Sequence, residues 1–190
     1  MKYFIFSDIH GSATACERAL EQYAKLGCDK IICLGDILYH GPRNPIPEGY
    51  DNKRLCDILN PLSDKIIACR GNCDCEVCEM VLNFPLMSDY NLINDNQTVI
   101  FATHGHVYSP LNEQGNPEVS GSKPASKQGY NIFLYGHTHV QVLKKDNNGK
   151  IICNPGSIIL PKGGSPMGFA VYEDSHVALY DIKGNKLSEL

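Results

Sequence analysis

No stretch of this 190-residue chain is apolar for long enough to span a bilayer. Its first apolar run, Met1-Lys2-Tyr3-Phe4-Ile5-Phe6-Ser7-Asp8, is too short for a secretion signal and closes on an acid. We therefore expect no export, no membrane partner and a cytoplasmic location. Basic surplus is lacking too. Seventeen Lys and Arg stand against 21 Asp and Glu, a formal net charge of −4, so no cationic face is available to track nucleic acid backbones. Long nucleic acids are poor candidate partners. Neither an internal repeat nor a linker divides the chain. With 43% hydrophobic residues, a single domain over 1–190 is expected. The nine cysteines are odd in number and mostly fall inside predicted strands and helices, where Cys acts as a small apolar residue. Reduced thiols and an intracellular compartment follow.

Residues 2–7, 30–34 and 65–69 are short apolar runs, each followed by a polar turn containing glycine, as buried strands of an α/β sheet are. Between the first two, Cys16, Ala19, Leu20, Tyr23 and Leu26 recur at helical spacing, with Ser12 placed to cap the start and Gly27 the end. Leu55, Ile58, Leu59 and Leu62 repeat the pattern before the third run. The first half reads β-α-β-α-β with a parallel sheet. Apolar runs at 98–102, 131–135, 140–143, 151–153, 169–172 and 176–182 are separated mainly by turn residues, which predicts a more antiparallel second half. Residues 106–129 carry no period and read as a long loop.

Five polar clusters sit where predicted strands end: Asp8-Ile9-His10-Gly11, Gly35-Asp36, Gly71-Asn72-Cys73-Asp74, His104-Gly105-His106 and Gly136-His137-Thr138-His139. Strand ends of an α/β sheet are where sites collect. Two carboxylates, several imidazoles and one amide oxygen form a donor set suited to divalent metals. In the D-x-H and H-x-H pairs, residues two apart on an extended segment face the same way, so each pair can address one ion. Two divalent cations bring +4 while Asp8 and Asp36 return −2. The surplus would hold a hydroxide and a phosphate ester, as two-metal sites with ions about 3.5–4 Å apart do.

This ordered series of D-x-H, G-D, G-N-x-D, H-G-H and G-H-x-H resembles the calcineurin-like metallophosphoesterases, and within them the small bacterial YfcE-like phosphodiesterases. The likeness runs from Lys2 through Asn154-Pro155-Gly156-Ser157 to Lys162-Gly163-Gly164. The resemblance implies that Asp8, His10, Asp36 and His139 hold one ion and Asp36, Asn72, His104 and His137 the other, with Asp36 bridging. It also implies an α/β fold of two packed mixed β-sheets flanked by helices, a four-layer α/β/β/α sandwich. Many relatives have His after the Asn of the G-N motif, where it protonates the leaving oxygen; this chain has Cys73, as the YfcE-like branch does. A neutral thiol cannot carry the charge of an imidazolium, so activated aryl diesters should turn over better than esters with poor leaving groups. A second departure is the 106–129 loop, longer than is usual in relatives.

Four further roles are open at this level. Asp74 is either catalytic or the N-cap of a helix at 75–83. His106 is either a phosphate contact or a partner orienting a metal ligand. Arg43 either clamps a phosphate with its fork or is merely solvated. Cys73, Cys75 and Cys78 form a C-x-C-x-x-C group, but a structural zinc site needs four ligands, and helical geometry would splay these three.

The expectation is a dinuclear-metal phosphodiesterase that hydrolyses small phosphodiesters through a metal-bound hydroxide. Asn72, Cys73, Asp74 and His106 are the catalytic candidates, and Arg43, Asn72 and His106 the substrate contacts. The alternatives are a phosphomonoesterase on the same site, or a protein-binding scaffold like the retromer subunit that uses this fold with a decayed site. Mn²⁺ is the expected cofactor, with Zn²⁺, Fe²⁺, Co²⁺ and Ni²⁺ as alternatives, because N/O ligation does not choose among them. Self-association into a homo-oligomer stays open.

Overall fold

The computed structural model of the protein describes residues 1–110, 116, 118–119, 121–125 and 129–190. Strands β1 (Lys2–Phe6), β2 (Lys30–Cys33) and β3 (Ile66–Ala68) alternate with helices α1 (Ala13–Lys25) and α2 (Asn52–Leu59). The short helix α3 (Glu76–Val81) and strands β4 (Tyr90–Asp95) and β5 (Thr98–Thr103) follow. Next come the two-residue strands β6 (Tyr108–Ser109) and β7 (Lys123–Pro124), then β8 (Ile132–Leu134), β9 (Gln141–Lys145) and β10 (Ile151–Pro155). Strands β11 (Gly168–Glu173), β12 (His176–Asp181) and β13 (Lys186–Glu189) complete the order.

Both ends of α1 obey local chemistry. Ser12 Oγ accepts from the Ala15 N–H, and beyond the cap residue Leu26, Gly27 takes a left-handed φ of 63°. Gly27 N donates to Ala24 O and Cys28 N to Tyr23 O, which closes a Schellman motif. The second helical pattern behaves differently. Its apolar spacing continues to Leu62, but Pro61 removes a donor, and the chain tightens into a 3-10 turn over Asn60–Lys65.

Two mixed sheets result, of order β13-β12-β11-β1-β2-β3 and β4-β5-β8-β10-β9. Period-two alternation decides the layers. In the first sheet Tyr3, Ile5, Ile32 and Leu34 face the second sheet, where they meet Ile100, Ala102, Ile132, Leu134, Ile151 and Cys153. Phe4, Phe6, Ile31 and Cys33 turn the other way, onto Ala15, Cys16, Ala19, Leu55 and Leu59 of the helices. On the far side of the second sheet lie Phe101, Phe133 and Ile152, covered by Tyr90, Tyr108, Val119, Ala125 and Tyr130. The fold class is thus two packed mixed sheets with helices, α1 and α2 lying on the first sheet. Among the described residues, the outer face of the second is covered by aromatic side chains of loops and strands.

Two expectations need correction. The second sheet is less antiparallel than turn residues suggest, since β5 pairs with β8, and β8 with β10, in parallel. The 106–129 segment is not all loop: Tyr108 and Ser109 pair with Lys123 and Pro124. Positions 111–115, 117, 120 and 126–128 of that segment lie outside the described residues. No helix among the described residues is long and apolar enough to cross a membrane.

Candidate active site

Parallel strands carry their C-terminal ends to one edge of a sheet, and the five clusters follow β1, β2 and β3 of one sheet and β5 and β8 of the other. Backbone and side-chain bonds knit the loops together. Asp8 N donates to Gly35 O, His10 N to Asp36 O, and His137 N to Asp8 Oδ2 at 3.0 Å. Two glycines allow this approach for a steric reason. A Cβ at Gly71 would run into Asp36 Oδ1 and backbone N, and one at Gly136 into Ser7 Oγ and Asp8 Oδ2.

Among the described residues eight non-glycine residues have positive φ, and five are Asp8, His10, Asp36, His137 and His139. Left-handed backbone at non-glycine residues costs energy and persists where surrounding structure enforces it. Here the enforcing contacts aim side chains inward.

Three imidazoles are oriented by the same device. Nδ1 of His10 lies 2.9 Å from Tyr39 O, that of His104 2.8 Å from Leu34 O, and that of His139 2.6 Å from Leu160 O. A carbonyl oxygen can only accept, so each Nδ1 carries a hydrogen and each Nε2 turns inward. The Nε2 atoms of His10 and His139 stand 3.2 Å apart, with Asp8 Oδ1 at 3.7 and 3.2 Å from them. These three potential donor atoms face one another in a buried place, and among the described residues Asp8 Oδ1 has no hydrogen-bond partner. Such a donor set suits a divalent cation.

A second set adjoins it. His104 Nε2 lies 3.2 Å from Asn72 Oδ1 and 3.5 Å from Asp36 Oδ2, and the same Asp36 oxygen is 3.8 Å from His10 Nε2. Asp36 therefore stands between the two groups of donors. Its other oxygen accepts the Cys73 N–H at 2.8 Å. The potential donor atoms of Asp8, Asp36 and His104 lie within 4.8 Å of one another, as do those of Asp8, His10 and His139. His137 is placed less tightly: its ring centroid is 5.2 Å from that of His104, and its imidazole joins no such set among the described residues.

The charges are mutually stabilised. Burial pushes the Asp8 and Asp36 carboxyls up, but the histidines around them outweigh it and hold both below the usual carboxylate range. Burial pushes His104 down, yet Asp36 and Asp8 raise it to about 9. A proton on His104 offsets part of the charge of the two carboxylates, and it would have to leave before the Nε2 atom could hold a cation.

The remaining candidates sort by contact. Asp74 does not cap a helix: α3 starts at Glu76, and its N-cap, Cys75, makes no side-chain cap bond. The buried Asp74 carboxylate instead accepts three backbone N–H groups, from Asp36 and Gly71 on Oδ2 and from Ile37 on Oδ1, at 2.8 to 2.9 Å. It ties the loop of Asp36 to the loop of Asn72. Cys73, half-buried, accepts a hydrogen bond from Asn72 Nδ2 at 3.2 Å, and burial with the nearby Asp36 pushes its thiol up to about 12. It is no thiolate nucleophile. His106 sits 5.3 Å from His104, ring to ring, and burial lowers it to about 4; its Nδ1 is buried with no partner among the described residues.

A cleft of about 430 Å³ opens over these groups, lined by Asp36, Asn72, Cys73, His137 and His139 together with Gly41, Pro42, Arg43, Asn44, Thr138 and Lys162. Arg43 thus reaches the site, exposed and without an ion pair among the described residues. Lys162 was not anticipated from sequence. Nor were Asn154, whose Nδ2 donates to Gly136 O and Thr138 Oγ1, and Ser157, whose Oγ donates to Asp8 O at 2.7 Å. Both are fully buried and position the loops, and only their membership of the Asn154–Ser157 segment hinted at it.

Residues 1–176 match the profile of the calcineurin-like phosphoesterase superfamily domain. The chain belongs to that superfamily. Among calcineurin-like phosphoesterases it is similar to Phosphodiesterase YfcE of Escherichia coli (strain K12), 40% identical over 185 residues that cover 95% of this chain and 94% of the relative. The solved structure of YfcE, a phosphoesterase from E. coli, superposes with a TM-score of 0.86 over 100% of this chain and 98% of the other, at 34% identity. Probable metallophosphoesterase YsnB of Bacillus subtilis is 27% identical, covering 100% of this chain and 96% of its own. Wild-type Vps29 from Entamoeba histolytica, solved as a zinc complex, shares the fold at TM-score 0.62 and 20% identity, covering 100% and 98%.

Proposed function

We propose that this calcineurin-like phosphoesterase is a dinuclear-metal phosphodiesterase of small substrates, working in the cytoplasm as a single domain. The observation that carries the proposal is the convergence of Asp8 Oδ1, His10 Nε2 and His139 Nε2 on one buried point, with Asp36 beside them. Asp8, His10, His139 and Asp36 would hold one cation, and Asp36, Asn72 and His104, with His137 beside them, the other. Mn²⁺ is the ion we favour. When bound, the pair supplies surplus positive charge that polarises a phosphoryl oxygen and sharpens a water.

The chain's own groups do the rest. Arg43 and Lys162 offer cationic donors to the non-bridging oxygens or to the far arm of the ester. His106, neutral at pH 7, presents an Nδ1 without a partner among the described residues, which can orient a phosphate oxygen or take a proton. Cys73 keeps its proton and gives the leaving oxygen only a weak hydrogen bond, which suits leaving groups stable as anions. Aryl diesters fit that description. The phosphomonoesterase reading is the alternative, because two cations held at this cleft would also suit a dianion. Crossing Mn²⁺, Zn²⁺, Fe²⁺, Co²⁺ and Ni²⁺ with aryl diesters, aryl monoesters and cyclic nucleotides decides it. Preferred turnover of the aryl monoester would overturn the diester assignment.

A further inference from the structure

The C-x-C-x-x-C run divides in two. Cys73 faces the cleft, whereas Cys75 and Cys78 line a separate groove with Cys56, Tyr39, Val77 and Val81. Cys75 is extended at the N-cap of α3 and exposed; Cys78, one turn later, is 5% exposed. The Cys75 carbonyl accepts the Cys78 N–H at 2.9 Å, and that turn brings their Sγ atoms to 3.7 Å.

Neither common role of cysteine accounts for this pair. Cys75 is outside the core and makes no cap bond, so packing and capping do not explain it. A structural zinc needs four ligands, and among the described residues no third His, Cys, Asp or Glu donor joins these two sulfurs within 4.8 Å. What remains is one exposed sulfur beside one sheltered sulfur, at a C-x-x-C spacing that permits a bond between them.

We propose that Cys75 and Cys78 form a thiol–disulfide exchange site that accepts small-molecule disulfides such as oxidised glutathione. Cys75 Sγ loses its proton to solvent and attacks one sulfur of the incoming disulfide, and one glutathione leaves as thiolate. Cys78 Sγ then attacks the Cys75 sulfur of the mixed disulfide and expels the second glutathione. Two protein thiols give up two electrons and two protons, and the incoming disulfide becomes two thiols. The order follows from exposure. Burial pushes the Cys78 thiol up to about 11, so it reacts only once the mixed disulfide is held beside it. Asp74 directly precedes Cys75, so the pair sits at the foot of the loop that carries Asn72. The inference is independent of the phosphoesterase reading.

The test treats the fully reduced, full-length chain with excess oxidised glutathione, blocks free thiols at intervals and maps the peptides by mass spectrometry. The expected result is loss of two thiols per chain, a Cys75–Cys78 disulfide, and a glutathione adduct that is only transient. Cys78→Ser should accumulate a stable adduct on Cys75, and Cys75→Ser should leave Cys78 unmodified over the same interval. Both cysteines remaining alkylated, a lasting adduct in the unsubstituted chain, or Cys75 bonded to Cys56 would overturn the proposal.

Discussion

Replacing Asp74 by asparagine removes a charge from the junction of two site loops without changing its shape. The carboxylate satisfies the backbone N–H groups of Asp36, Ile37 and Gly71. An amide can keep its oxygen on the two donors now shared by Oδ2, but its NH₂ then opposes the Ile37 N–H, donor against donor. One charge-assisted bond is lost, at about 1.5–3 kcal/mol, and two are weakened to neutral strength. Burial already pushes the Asp74 carboxyl up, a cost the amide does not bear. The net expectation is roughly 2–3 kcal/mol of destabilisation, which leaves a protein of ordinary stability folded. Because Asp36 and Asn72 ride on the two loops, metal affinity should fall about 10–100-fold, as when a group orienting metal ligands is removed. Urea unfolding of the metal-free protein and calorimetric titration with Mn²⁺ measure the two effects separately. A normal unfolding midpoint with Mn²⁺ affinity within about twofold of the parent would refute the reasoning.

Arg43→Ala should lower kcat/KM on phosphate esters about tenfold, mostly through KM, as loss of a solvent-exposed charged hydrogen bond predicts; steady-state kinetics check it, and unchanged kinetics would make Arg43 a surface residue. Cys73→His should speed hydrolysis of esters with poor leaving groups more than of aryl diesters, and no gain on the poor leaving group would count against the thiol argument. In the metal-free protein His104 has a folded-state value of about 9 against an ordinary value near 6.5, so its contribution to stability is complete below that ordinary value and is lost as pH rises towards 9. Thermal unfolding across that window should show the decline in the metal-free parent and not in His104→Asn; a parallel decline in both would place its origin elsewhere.

The site was more legible in the sequence than the fold around it. Asp8, His10, Asp36, His104 and His139 could be singled out because each cluster closes an apolar run beside a glycine, and Ser12 and Gly27 could be read as helix ends because capping is a local rule. Strand β4 escaped because Tyr-Asn-Leu-Ile-Asn-Asp buries only Ile93 and Asp95, leaving no apolar run. Strand β13 escaped because all four of its residues are exposed. The parallel pairing of β5, β8 and β10 depends on long-range crossovers that turn residues do not encode. Asp74 shows where a local rule loses. It precedes a helix, as a cap would, but its carboxylate serves N–H groups of Asp36 and Ile37, more than 30 residues away in sequence. Lys162 had no cluster around it, and only the fold brings it to the cleft beside Arg43.

Titrating metal-free protein with Mn²⁺ by calorimetry, with hydrolysis of an aryl phosphodiester followed at each addition, tests the central claim most directly. The account predicts stoichiometric uptake of two ions per chain, hydrolysis rising as the second site fills, and loss of both on chelation. Absence of stoichiometric binding, or hydrolysis that survives exhaustive chelation, would contradict it.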